Sequence, residues 1–502
     1  MCTCHCYPGG TGLMNPCKVV LDRYVLALAV SSLLVCSVAN RQRVLACSSD
    51  APRDVAAESL RTWQDASGKY TVQATLVRVE NDQVELTTAD GKRIEVPIEK
   101  LSLADQQYVR LPADLSVWPN RQSFRNSDPW LVENHDRIRV MKPRLLVLNF
   151  SNNRDMQWIQ QRTEETIRAL AESTRYHGFA DPEAPAFLQY EVAKYVDLRD
   201  SPPPAGRENC SSSRYPRGAR PGSTRYAPFY SPEFAQAYGF ANPARPGRSL
   251  NLHELIEAGL VHELWFFGIH DKETAAFESV EFKQYYDDQL RPIPDRHGPA
   301  GNGHPEDMPW SGRSFRITWY NSDRGLGCGM ENFGHSLEAV ANYNAIPYYK
   351  RYFDEFAEFD LDKRYPGLPT SRLYSMGPGD KAEYPDATTL VLHQAGKTYT
   401  IKDYVAMGGN VHFPPGARGH YDLSSPHIVK TVIENFRLRN GPDGEDAVHD
   451  FDPARFRQYE QLAPDCMGQW MVYWRQCMPG YGNPCVDDDG KPMKNWWVFL
   501  FY

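Results

Sequence analysis

The sequence predicts a multidomain protein: a small all-β barrel followed by a large α/β (mixed α+β) body. Three observations carry this expectation. Apolar and polar residues alternate at period two through residues 69–96, with turn chemistry between the runs, as in short half-buried strands. Residues 144–198 then read apolar run, helical period, apolar run, the strand–helix–strand order of an α/β unit. The chain has 502 residues, of which 41% are hydrophobic and 24% charged, enough to pack more than one core and to exclude wholesale disorder. A formal charge of −8 provides no overall attraction to phosphates, so no nucleic-acid partner is expected.

At the N-terminus, Tyr24–Ala39 (YVLALAVSSLLVCSVA) carries no charge, follows Lys18 and Arg23, and ends in the small-x-small triplet Ser37-Val38-Ala39. This is the layout of a secretory signal peptide. The run is shorter than the roughly 20 apolar residues of a spanning helix, so a signal-anchor is the lesser variant. Residues 1–39 are therefore expected to be a signal peptide, with Met14 as an alternative start. The expected location is extracytoplasmic: secreted, periplasmic or envelope-associated, with no membrane span after cleavage. Removing 1–39 leaves Cys47, Cys210, Cys328, Cys466, Cys477 and Cys485. That even set fits up to three disulfides, with Cys477–Cys485 able to close a short loop.

A linker at 40–57 leads to the small domain at 58–112. Lys69–Leu76, Gln83–Thr87 and Arg93–Val96 are the predicted strands, separated by Glu80-Asn81-Asp82 and Ala89-Asp90-Gly91-Lys92. Leu101–Asp105 reads as a helical turn with Ser102 as N-cap. So few short strands can close only a small barrel.

The residues Arg61-Thr62-Trp63, Asp65, Gly68-Lys69-Tyr70, Ala74, Val84, Leu86, Asp90-Gly91-Lys92, Val96-Pro97, Lys100-Leu101-Ser102, Asp105 and Tyr108-Val109 together resemble the Sla-one homology domain. The resemblance implies an SH3-like barrel and an adaptor-type module that binds proteins or short peptides. It also brings the family's associations with cytoskeletal protein binding, ubiquitin binding and self-association. Combined with export, it implies a protein, peptide or cell-envelope polymer as partner.

After a linker at 113–139, the body spans 140–502. Its long loop 201–250 holds nine Pro, seven Arg, two acidic residues and seven aromatics, a composition suited to a glycan or to a surface packed by its own rings. The sharpest chemistry lies in Met330–Tyr343 (MENFGHSLEAVANY). As a helix it places Glu331, His335, Glu338 and Asn342 within about 60° of one another, opposite Met330, Phe333, Leu337 and Val340. Glu331, His335 and Glu338 can aim three ligands at one point and hold a divalent transition metal such as zinc. The other reading of the stripe is a buried His335 hydrogen-bonded by both carboxylates. His412, in the Gly/Pro-rich loop 408–427, is the candidate further ligand. Glu263, in the expected strand Val261–Gly268, is the candidate general acid or base, its pKa raised beside Trp265 and Phe267. Together these residues describe a metal- or carboxylate-dependent secreted hydrolase, the alternative to a pure binding protein. The body as a whole (VHELWFFG, ENFGHSLEAV, GNVHFPP and a tryptophan-rich end) resembles a group of uncharacterised secreted proteins, which implies a compartment and no mechanism. The terminal Trp496–Tyr502 is expected as a last strand docked in the core.

Overall fold

The alternating segments at 69–96 do form strands. The computed structural model describes residues 53–54, 61–102 except 68 and 81, 105, 109, and 129–502 except 244, 305 and 306. The expected signal peptide, both start positions and Cys47 lie outside the described residues. The chain divides into Met1–Pro52 and Arg53–Tyr502, and the description that follows concerns the second unit.

Five strands make the first sheet: β1 (Arg53–Asp54), β2 (Arg61–Gln64), β3 (Thr71–Glu80), β4 (Gln83–Thr88) and β5 (Arg93–Pro97). All pairings are antiparallel, in the order β1-β3-β4-β5, with β2 also on β3. Alternation buries Ala74, Leu76, Val84 and Leu86 around Trp63, with Ile98, Leu101 and Val109 closing the cluster. The Trp63 indole N–H donates to the Ala74 carbonyl at 2.9 Å, so the buried ring leaves no unpaired donor. Gly91, at φ 82°, makes the turn that Asp90-Gly91 signals. Ser102 caps as expected: its hydroxyl accepts from the Asp105 amide and donates to the Asp105 carboxylate.

The body is built on a mixed six-stranded sheet. Its members are β6 (Arg144–Asn149), β7 (Glu191–Asp197), β8 (Glu263–Gly268), β9 (Ser279–Tyr286), β10 (Pro292–Pro299) and β11 (Phe315–Asn321), in the order β10-β9-β11-β8-β6-β7. The β7-β6-β8-β11 run is parallel, and β9 and β10 extend it antiparallel. Both faces are covered, which is why β6 and β8 read as continuous apolar runs. Leu145, Val147, Trp265 and Phe267 enter one core, and Leu146, Leu148, Leu264 and Phe266 enter the other. Between β6 and β7 runs α1 (Met156–Ser173), whose N-cap Asp155 accepts from the Trp158 amide at 2.8 Å. Such a cap stabilises a helix by about 1 kcal/mol.

Over the first core lie α2 (Leu326–Asn342), α3 (Pro347–Phe356) and α4 (Gly468–Gln476), with the three-stranded sheet Lys381–Ile401 between α3 and α4 in the chain. Among the described residues, no helix is long and apolar enough to cross a membrane.

On this side of the sequence one pair of alternatives is decided and two expectations change. The aromatics of 201–250 face inward: Tyr215, Tyr226, Phe229, Tyr230, Phe234 and Tyr238 fill the second core, so these rings are not free to stack on a sugar. Trp496–Phe499 is a helical turn rather than a strand, buried around Tyr349 and Phe353. Cys477 and Cys485 are not bonded to each other; the disulfide instead joins Cys328 to Cys466. The Cys485 sulfur faces the Tyr176 hydroxyl at 3.4 Å.

Candidate metal centre

α2 is buried along almost its whole length, including its polar stripe. A helix buried on all sides must satisfy its polar groups from neighbouring segments. The apolar stripe, Met330, Phe333, Leu337 and Val340, enters the first core. The polar stripe meets the loop 408–427. That loop is pinned from beneath by α4: the Trp470 and Trp474 indoles donate to the carbonyls of Asn410 and Gly409 at 2.9 and 3.0 Å. Gly409 sits at φ 64°, and a side chain there would run into the Phe413 backbone, so the bend requires glycine. The Asn410 side chain then accepts from the His412 amide at 3.2 Å.

The result is a cluster in which His412 Nε2 lies 2.9 Å from Glu331 Oε1, and His335 Nε2 lies 3.6 Å from the same oxygen. One ligand atom each from Glu331, His335 and His412 falls within 4.8 Å of the others, and all three residues are buried. Glu278, immediately before β9, reaches within 4.0 Å of His335 Nε2 with its side chain 27% exposed, so it stands where the cluster meets solvent.

The tautomers follow from the outer partners. His420 Nε2 is 3.2 Å from the Met376 carbonyl, which can only accept, so His420 donates there and its Nδ1 carries a lone pair. His412 Nδ1, 3.0 Å away, must then donate to it, which leaves a lone pair on His412 Nε2. His335 Nδ1 donates to Glu338 Oε2 at 2.9 Å, with the Tyr374 hydroxyl 3.3 Å from the same nitrogen. In the neutral ring its Nε2 then also carries a lone pair. With both imidazoles neutral, two lone pairs and the carboxylates of Glu331 and Glu278 would converge with no donor between them. Buried acceptors facing one another are unfavourable unless a cation joins them. A proton on each imidazole is one way to supply it; a single divalent cation replaces both.

The protonation tendencies agree with a cluster that demands positive charge. Burial works against the Glu331 carboxylate, yet hydrogen bonds to both imidazoles outweigh it and hold its pKa down to about 2. Burial likewise opposes a charged His335, and Glu331 and Glu338 nonetheless raise it well above its ordinary value. His420 is lowered, by burial and by His412, which suits a neutral acceptor. Two histidines and one carboxylate form a ligand set that leaves a coordination position open, as in catalytic zinc sites.

Among the expected site residues, the structure brings Glu331, His335 and His412 together. Glu338 lies on the other nitrogen of His335, and its second oxygen accepts from the Val411 amide at 3.2 Å, so it orients the ring and ties the helix to the loop. Glu263 lies elsewhere: Tyr190 and Trp265 donate to it at 2.9 and 3.0 Å, and Arg316 lies 3.5 Å away. Glu278 and Tyr374 were not legible from the sequence, because neither belongs to a periodic stripe. The Gly327 and Cys328 amides at the start of α2, which a bound anion would suit, meet the Asp465 carboxylate.

Comparison with known proteins defines the class of the first sheet. Residues 52–116 match the SLA1 homology domain 1 family. Within curated proteins, a stretch of 68 residues is 31% identical to the actin cytoskeleton-regulatory complex protein sla1 of Schizosaccharomyces pombe (strain 972 / ATCC 24843), covering 14% of this chain and 5% of that relative. These matches correct the expectation of an extracytoplasmic protein. The family segment is shared with a protein of the actin cytoskeleton-regulatory complex, and the apolar run on which export rested lies outside the described residues.

Proposed function

We propose that this chain is an adaptor-type protein whose 52–116 segment folds as an SH3-like barrel and docks on a protein or peptide partner belonging to a cytoskeleton-associated assembly. The match over 52–116 carries this reading. Tyr70 supplies a contact point: its ring is 74% exposed, on a turn held by Tyr70 and Asp65 hydrogen-bonded to each other at 3.0 Å in both directions. An exposed aromatic on a rigid turn presents a large contact area at small entropic cost. Immobilised full-length protein is expected to retain a defined partner from a cytoskeletal extract, and Tyr70→Ala to lose at least tenfold of that retention with unchanged thermal unfolding. Retention equal for both proteins, or absent from both, would overturn the reading.

A second reading applies to the body, favoured by the converging lone pairs. Glu331, His335 and His412 would hold a divalent transition metal, and the body would act as a metal-dependent hydrolase. Such an ion lowers the pKa of a bound water toward neutrality. The chain's own residues would complete the arrangement: Glu278, partly open to solvent, is placed to accept a proton from such a water, while Glu338 and His420 fix the two imidazoles. Metal analysis of the purified chain is expected to give one equivalent, falling to none in His412→Ala. Zinc at 100 times its Kd is expected to stabilise the wild type by about 2.7 kcal/mol and the variant not at all.

A further inference from the structure

Glu331 has a second set of neighbours. Cys328 stands three residues earlier, in the first turn of α2, and is bonded to Cys466, 138 residues further along the chain. Both sulfurs and a Glu331 oxygen lie within 4.8 Å of one another. The two histidines contact Glu331 through Oε1, so the same carboxylate has a second oxygen with which to serve another ion. Exposure rises outward along this line: Glu331 is buried, Cys328 half-buried and Cys466 exposed. A soluble reductant can thus reach the bridge while the carboxylate stays inside.

The surroundings tie this bridge to the site. Asp465 and Cys466 sit at φ 62° and 39°, in the left-handed region, where residues with a side chain are strained. Asp465 occupies the notch at Gly325 and Gly327, where any side chain on either glycine would collide with it. The segment that carries Cys466 is therefore fixed against the start of the very helix that carries Glu331 and His335. In compartments kept reduced by thiols, disulfides are typically transient and redox-sensing rather than permanent.

We propose that Cys328, Cys466 and Glu331 form a second metal site, opened by reduction of the disulfide and coupled to the histidine site through their shared carboxylate; this rests on the metal reading of Glu331, His335 and His412. The step balances. A dithiol passes two electrons and two protons to the Cys328–Cys466 bond, which becomes two thiols while the dithiol closes to its own disulfide. Metal binding then expels the two thiol protons, leaving two thiolates and one carboxylate, a set suited to zinc and its neighbours.

Cobalt(II) added to the full chain tests this directly, because thiolate ligands give intense near-ultraviolet charge-transfer absorption that nitrogen and oxygen ligands lack. The oxidised protein is expected to bind one equivalent without that absorption. After dithiothreitol treatment and removal of excess reductant, it is expected to bind two, one of them with the absorption, and reduced Cys466→Ser is expected to lose the band while keeping the first equivalent. Since Cys466 is exposed, that substitution should not disturb the core. If reduced wild type binds cobalt without the band, the second site is refuted and the histidine site stands. A band that persists undiminished in Cys466→Ser comes from other cysteines of the chain (Cys2, Cys4, Cys6, Cys17, Cys36, Cys47, Cys210, Cys477 or Cys485) and also refutes it. Cobalt bound by neither form overturns both sites.

Discussion

Two of the buried polar clusters in the body satisfy their carboxylates in opposite ways. Around Glu263 the carboxylates are matched by cations. Arg316 lies 3.5 Å from Glu263 and 3.0 Å from Glu281, and Lys283 lies 3.0 Å from Glu281. Lys283 shares its other two N–H donors among the carbonyls of Phe499, Leu500 and Tyr502. Two carboxylates meet two cations, and the surplus donors tie the C-terminal turn to the sheet. Around Glu331, by contrast, Glu331, Glu338 and Glu278 face imidazoles whose outer nitrogens are already committed. A balanced cluster holds a fold together. An unbalanced one stores a demand for positive charge, and that demand is what separates a candidate site from a structural one.

The largest expected effect tests the balanced side. Arg316→Met removes the cation between two fully buried carboxylates and should cost about 3–5 kcal/mol of stability, read from urea unfolding midpoints. The metal content of the surviving folded protein should not change. A loss of metal in step with the loss of stability would show that the two clusters act as one.

A smaller effect is expected from Glu338→Gln. This residue touches the non-liganding nitrogen of His335, so it positions the ring rather than binding the ion. The substitution should weaken metal affinity by about 10–100-fold without changing the stoichiometry. Titration with zinc, alongside Glu331→Gln as the ligand variant that loses the equivalent altogether, distinguishes positioning from ligation. If both variants lose the full equivalent, Glu338 is itself a ligand and the proposed geometry is wrong.

The contrast between the clusters also explains what could be read from the sequence. Helical spacing placed Glu331, His335 and Glu338 on one face because all three belong to one element, and the period of α2 is unambiguous. The loop His412 could be named as a further ligand, but not how it is held, which depends on Trp470 and Trp474 pinning a backbone some 60 residues away. Glu263 looked like a general acid because its own strand shows only Trp265 and Phe267 beside it. The Arg316 that neutralises it arrives by parallel pairing of β8 with β11, and strand pairing over that separation leaves no local signal. Trp496–Tyr502 shows the limit of period alone: a short apolar run fits a buried strand or a buried helical turn equally well, and here packing decided. In the first sheet β3, β4 and β5 were legible, since they are sequential neighbours joined by turns with distinctive residues, whereas β1 and β2, short and without alternation, were not.

The smallest effect concerns Glu263 itself. Burial raises its carboxyl pKa above the ordinary 4.5, while Arg316 and hydrogen bonds from Trp265 and Tyr190 pull it back; Glu281 adds a like charge. Between 4.5 and the folded value, the folded chain holds a proton that the unfolded chain has released. By linkage, stability must fall as pH rises through that window and level off beyond it. Glu263→Gln cannot titrate, keeps a carbonyl to accept from Tyr190 or Trp265, and should remove that part of the slope in unfolding free energy against pH. Zinc affinity at fixed pH should be equal in both proteins, because none of the partners of Glu263 belongs to the Glu331 cluster. Were the variant to keep the slope, burial of this carboxyl would not be its source. Were it to lose zinc, the separation between the balanced and the unbalanced cluster would fail at the residue where the two come closest in chemical type.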